Sequence, residues 1–172
     1  MLQNQKGTII KLLKAQEAAK NYTDNYWFPY GDFLDPTDRF TDFSCENLAG
    51  KQPFITIIEN LLHKDQTAEV FVQVYGLEEY AHDEPVIYAD TLILFSRLPL
   101  FEIKQIFNEP GDTVPCDIGE ITDFSQQVIV VDDIGNVSYA SQQTFIIHKD
   151  GSLSPVTLPP AGNMSVYYCW WD

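Results

Sequence analysis

The chain reads as an α+β fold: a mainly antiparallel sheet, with a carboxy-terminal meander, and about three helices packed on it. Three observations predict this. Phe54, Ile57, Ile58, Leu61 and Leu62 fall at helical spacing, as do Leu100, Ile103, Ile106 and Phe107. The last third is a series of short β-prone runs separated by the turn sequences Asp133-Ile134-Gly135 and Lys149-Asp150-Gly151. Helical patterns come early and strand patterns late, which suits helices laid on one face of an antiparallel sheet. At 172 residues the chain is expected to form a single domain over residues 1–172.

Taken in order, residues 8–20 form the first expected helix, with Ile9, Leu12, Leu13 and Ala19 on one face. A basic amphipathic helix of this kind either binds a partner or packs on its own domain. Residues 21–52 show no period. They interleave Tyr22, Tyr26, Trp27, Phe28, Tyr30, Phe33, Phe40 and Phe43 with five aspartates, and Pro29, Gly31, Pro36 and Gly50 mark turns. A segment of that length is either functional or packed by its own side chains.

Pro53 suits the first turn of the helix at 53–64. A Val-rich strand at 69–75 is expected to end at Gly76, followed by an acidic loop at 78–84 and a strand at 91–95. Pro99 opens the helix to Phe107. Runs at 128–131, 136–140, 145–148 and 153–158 make the meander. Residues 166–171 add a strand that is apolar on both faces, hence buried or covered by a partner.

Twenty-five acidic against ten basic side chains leave a formal charge of −15. Such a charge opposes binding to nucleic acid, whose affinity comes largely from Lys and Arg on phosphates, and to anionic membranes. It also favours solubility without specifying any site. The distribution is uneven. Residues 1–20 carry four lysines against Glu17, whereas residues 65–172 carry seventeen acids against Arg97, Lys104 and Lys149. A basic amino-terminal element can therefore lie on an acidic body, within one subunit or between copies in a homo-oligomer.

Cys45, Cys116 and Cys169 are an odd number without close spacing, which matches neither a disulfide framework nor a zinc motif. Lys11 and Lys14 interrupt the only apolar run near the amino terminus, and no run of about 18 apolar residues exists. The expectation is a soluble cytoplasmic protein with reduced thiols. The triplets beginning at Asn21, Asn136 and Asn163 are then not glycosylated.

Chemistry is sparse. Cys116 and His148 are the one cysteine–histidine pair to consider, but Asp117 beside Cys116 would raise the thiol's pKa and oppose nucleophile formation. Glu78, Glu79, His82, Asp83 and Glu84 offer ligand atoms without the alternate spacing or glycine of a calcium loop. Asp132 and Asp133 read as a hairpin turn between β-runs. No phosphate-cradling glycine loop or serine elbow occurs. No cofactor or metal is expected, and the balance is against an enzyme.

The distinctive feature is the acidic–aromatic segment, from which Trp27, Tyr30, Asp32, Phe33, Asp35 and Asp38 are the candidate binding residues. Rings supply contact area and carboxylates steer a basic protein partner. The competing reading places these rings in the core, where large aromatics usually sit. The expected function is an interaction module, immunity- or inhibitor-like in character, that binds a basic protein. The alternatives are a small carboxylate-using hydrolase and a sugar- or ligand-binding protein.

Overall fold

The computed structural model describes residues 1–44, 50–78, 84–108 and 113–172. Helix α1 spans Gln3–Ala19, starting five residues before the expected position and running through Gly7. Gln5 explains the early start, because its Oε1 accepts from the Leu2 N–H at 3.0 Å and satisfies one of the free donors at the helix end. The helix stops where Lys20 takes a left-handed φ of 48°.

Residues 21–52 are more ordered than their lack of period suggests. They hold strand β1 (Asn25–Pro29), the one-turn helix α2 (Tyr30–Phe33) and strand β2 (Thr41–Phe43). β1 runs antiparallel to β3 (Glu69–Glu78) and parallel to β8 (Thr144–Ile147), so it is an interior strand. Tyr26, Trp27 and Phe28 are buried in succession, which is why no polar/apolar alternation marks it.

Helix α3 (Gln52–Lys64) buries Phe54, Ile57, Ile58 and Leu61, and α4 (Leu100–Phe107) buries Ile103, Ile106 and Phe107. β3 continues through Gly76 rather than ending there. Its pairing with β4 (Val86–Ser96) slips between Gln73 and Val74 and again between Val74 and Gly76, so the glycine lies at an irregularity of the ladder.

Strands β5 (Asp117–Ile121), β9 (Leu153–Pro155) and β10 (Ser165–Trp170) complete the large sheet. Its order is β5-β10-β4-β3-β1-β8-β9, with β2 pairing parallel to β4. The fold is α+β, as expected. The strands of the last third do not follow one another as a meander, however. β10 inserts between β4 and β5, β8 lies beside β1, and β6 (Gln127–Val131) pairs only with β7 (Val137–Ser141).

Alternation along the strands separates two apolar layers. Val70, Val72, Leu92 and Leu94 face the helices with Ile9, Phe54, Leu61 and Phe107. Phe71, Ile93, Phe95, Trp27 and Val166 form a second layer with Phe124, Leu158 and Met164 packed on it. No helix among the described residues is long and apolar enough to cross a membrane.

Candidate functional site

The six residues singled out in the sequence lie in three places. Trp27, 3% exposed, stacks on Phe71 at 5.7 Å and meets Phe95 edge-on in the second layer. Phe33 is buried in the helix-side layer against Phe28, with Tyr30 partly buried beside it. The carboxylates are tied individually. Asp32 Oδ2 accepts from Gln5 Nε2 at 2.9 Å, and its Oδ1 lies 3.6 Å from Lys149 Nζ. Asp38 accepts from the Met1 amino group at 2.6 Å and from Phe40 N at 2.8 Å. Asp35 accepts from the Thr37 hydroxyl and N–H, and the hydroxyl bond leads in holding its carboxyl below the usual range.

Asp32 and Asp35 share a depression of about 180 Å³ with Gln5, Gly31 and Lys149. Trp27 and Phe33 belong to opposite layers of the sheet, so the six do not make one continuous surface. Lys51 fastens this segment. Its ammonium donates to the Asp35 and Asp38 carbonyls at 3.2 and 2.9 Å and to Thr41 Oγ1. Burial lowers its pKa against the opposing pull of Asp38, Asp42 and Asp35.

The basic amino-terminal helix lies on its own chain. Lys6 donates to Glu84 Oε2 at 2.6 Å, and its Nζ sits 3.0 Å from the centre of the Phe40 ring.

An exposed apolar face lies on a hairpin that the sequence suggests only as part of a meander. In the β6–β7 hairpin, Ile129 pairs with Tyr139 and Val131 with Val137, so all four project from one face. They are between 60% and 72% exposed. The run Val128–Val131 reads as a buried strand, but here Ile129, Val130 and Val131 are exposed and β6 faces residues 20–23 only across a cavity. Such a ribbon is marginal on its own, and each cross-strand pair contributes about 0.2–1 kcal/mol.

Its turn is well fastened. Asp132 accepts from Ile134 N, Asn136 N and Asn136 Nδ2 at 2.8–3.0 Å, and Gly135 supplies a φ of 88°. The Asn136 backbone bond leads in keeping Asp132 below the ordinary carboxylate pKa. Ile134, at the tip, is 84% exposed. Between residues 105 and 148 the sequence has seven acids and neither Lys nor Arg. A cavity of about 480 Å³ separates β6 from residues 20–23, with Lys20, Tyr22, Ile129 and Asp133 on its walls.

Other candidates do not assemble. Cys116 precedes β5 and His148 follows β8, five strand spacings apart in the sheet order, or about 24 Å at about 4.8 Å per spacing. His148 Nε2 pairs with Ser154 Oγ at 2.7 Å. Cys169 is buried, which pushes its thiol pKa up. No group of three metal-ligating side chains occurs among the described residues. Cys45 and, from the acidic loop, Glu79, His82 and Asp83 lie outside them.

Comparison with known protein families, with curated proteins and with solved structures found no match to this chain.

Proposed function

We propose that the protein is an interaction module for a basic protein partner and that the β6–β7 hairpin meets that partner. One observation carries this: four apolar side chains project from one face of a ribbon whose turn is held by Asp132. Contiguous exposed apolar surface on a folded chain marks a docking site more often than chance exposure does. The surrounding sequence, acidic and without a cation from 105 to 148, fits a partner rich in Lys and Arg. The outer edges of the ribbon also offer unpaired backbone groups to an added strand.

The expected partner is a protein, not nucleic acid or membrane, because the charge of −15 repels phosphate-rich surfaces. The reading keeps the cytoplasmic location, which the free thiols of Cys116 and Cys169 support. It keeps the single domain too, since β1 and β10 each pair with strands distant in sequence.

The test is capture from the source cells on the full chain, followed by binding of the purified candidate. Ile129→Ser with Tyr139→Ser should weaken it by at least about tenfold. A basic protein that binds this double variant as tightly as the native chain would remove the hairpin from the interface.

A further inference from the structure

A second cavity, of about 330 Å³, opens at the root of the hairpin on the sheet face that carries no helix. Its size is at the lower end of the range of about 300–1,000 Å³ occupied by small-molecule sites. The floor is Trp27, whose indole N–H donates to Gln73 Oε1 at 3.2 Å. Phe124, Ile121 and Leu158 form an apolar wall.

The polar lining is unusual in kind. Gln73 apart, Asn25, Gln126, Gln127 and Gln142 bring four more primary amides to this one space. None of these side-chain amides has a hydrogen-bond partner among the described residues. Thr144 also lines the cavity and is only 7% exposed, yet its hydroxyl has no partner among them either. Buried polar atoms are almost always satisfied, by protein or by water, and a ligand hydroxyl seated in this cavity can serve as that partner for Thr144.

The neck is fixed in position. Gln126 takes a left-handed φ of 51°, a conformation that costs a residue with a side chain, and its carbonyl accepts from Gln142 N. A glycine or asparagine would hold that turn more easily. Gln126 instead brings a long amide to the cavity mouth.

We propose that this cavity binds a neutral, hydroxyl-rich small molecule about the size of one sugar ring. Amides both donate and accept, as sugar hydroxyls do, and the Phe124–Leu158 wall suits the C–H face of a pyranose. No Lys or Arg lines the site, so phosphate and carboxylate ligands find no counter-charge. Among the described residues Asp123 is its one charged group, and it already accepts from Ser125 N at 2.9 Å. A wholly apolar ligand would leave the amides and Thr144 unpaired. The proposal is independent of the hairpin's protein partner.

The experiment titrates the full ¹⁵N-labelled chain with glucose, galactose and N-acetylglucosamine separately, and with glucuronate as the anionic comparison. The readouts are the Trp27 Nε1–H peak and the side-chain amide peaks of Gln126 and Gln142. At least one neutral sugar should shift all three saturably, and glucuronate should bind about tenfold more weakly. Thr144→Val keeps the shape of the side chain and removes an unpartnered hydroxyl. It should leave Tm within about 2 °C while raising the dissociation constant about tenfold. Gln142→Leu, on the cavity rim, should do the same.

Three results would overturn the proposal. One is no neutral sugar moving these peaks up to about 50 mM, far above the about 1 mM constant of a weak site. Another is glucuronate binding as well as the neutral sugars. The third is both variants either binding like the native chain or losing more than about 5 °C in Tm, since the polar groups would then serve the fold.

Discussion

Asp65 Oδ2 accepts a hydrogen bond from Ser96 Oγ at 2.8 Å, joining the end of α3 to the end of β4. The same oxygen accepts from Arg97 N at 2.8 Å, while Oδ1 accepts from Thr67 N and Thr67 Oγ1 at 3.0 and 2.6 Å. One carboxylate therefore closes the turn after the helix and anchors the strand's exit.

Burial alone would raise this carboxyl, but the bonds from Thr67, Arg97 and Ser96 outweigh it and bring its pKa to about 2. The folded value lies below the unfolded one, so the stabilisation is full above about pH 4 and is lost as pH falls through about 2. Asp65→Ala should cost about 3 kcal/mol at pH 7. Urea unfolding of both chains should show the gap narrowing between about pH 4 and about pH 2. A gap unchanged over that interval would show that the ionised form is not what stabilises the joint.

Gly151 has a φ of 84° in the turn between β8 and β9, where it presses on α1. A Cβ there would lie 2.8 Å from Thr8 Oγ1 and 2.9 Å from Asn4 O, and Thr8 Oγ1 already donates to the Gly151 carbonyl at 3.0 Å. The glycine is needed for both its backbone angle and the close approach. Gly151→Ala should lower stability by about 2 kcal/mol and Tm by about 4–8 °C. Because the clash is with α1, hydrogen exchange should rise along Gln3–Ala19 more than along α3. A uniform rise would place the effect elsewhere.

Much of this architecture was legible where periodicity reports burial. α3 and α4 show their buried faces as Phe54, Ile57, Ile58, Leu61 and as Ile103, Ile106, Phe107. β1 was hidden because apolar layers cover both of its faces, Tyr26 and Phe28 in one and Trp27 in the other, which erases alternation. The hairpin turn was legible in Asp132 to Asn136, but not that its strands stand apart from the sheet, since Val128–Val131 has the composition of a core strand. The amide cavity could not be read at all. Asn25, Gln73, Gln126 and Thr144 come from distant segments, and only the pairing of β1 with β3 and β8 brings them together.

Trp27 and Ile129 should separate stability from binding. Trp27 packs between Phe71 and Phe95, so Trp27→Ala should cost about 3–5 kcal/mol. Ile129 is largely in water, and Ile129→Ser should change stability by about 0.5 kcal/mol or less. Circular dichroism melts measure both. A cost above about 2 kcal/mol for Ile129→Ser would mean the hairpin face is packed within the chain rather than open.

In the proposed complex a basic partner approaches this chain through an acidic field and is held by apolar contact. An acidic field acts on encounter, whereas apolar contact acts on the lifetime of the complex. Asp123 precedes the hairpin and Asp133 sits in its turn, both exposed, so replacing both by Asn should slow association several-fold at low salt without unfolding the chain. Asp32→Asn with Asp35→Asn should slow it less, because Asp32 already faces Lys149 and Gln5. Asp38 is unsuitable for this comparison, being buried against the Met1 amino group. Ile129→Ser and Tyr139→Ser should instead raise the off-rate and leave the on-rate nearly unchanged. Screening shortens the field's reach to about 8 Å at 0.15 M ionic strength, so the native on-rate should fall steeply as salt is added, and the Asp variants should show a shallower slope. Stopped-flow association over a salt series measures all four. An on-rate insensitive to salt would remove electrostatic steering, and a larger effect from Asp32 and Asp35 than from Asp123 and Asp133 would move the docking face from the hairpin to the surface beside α1.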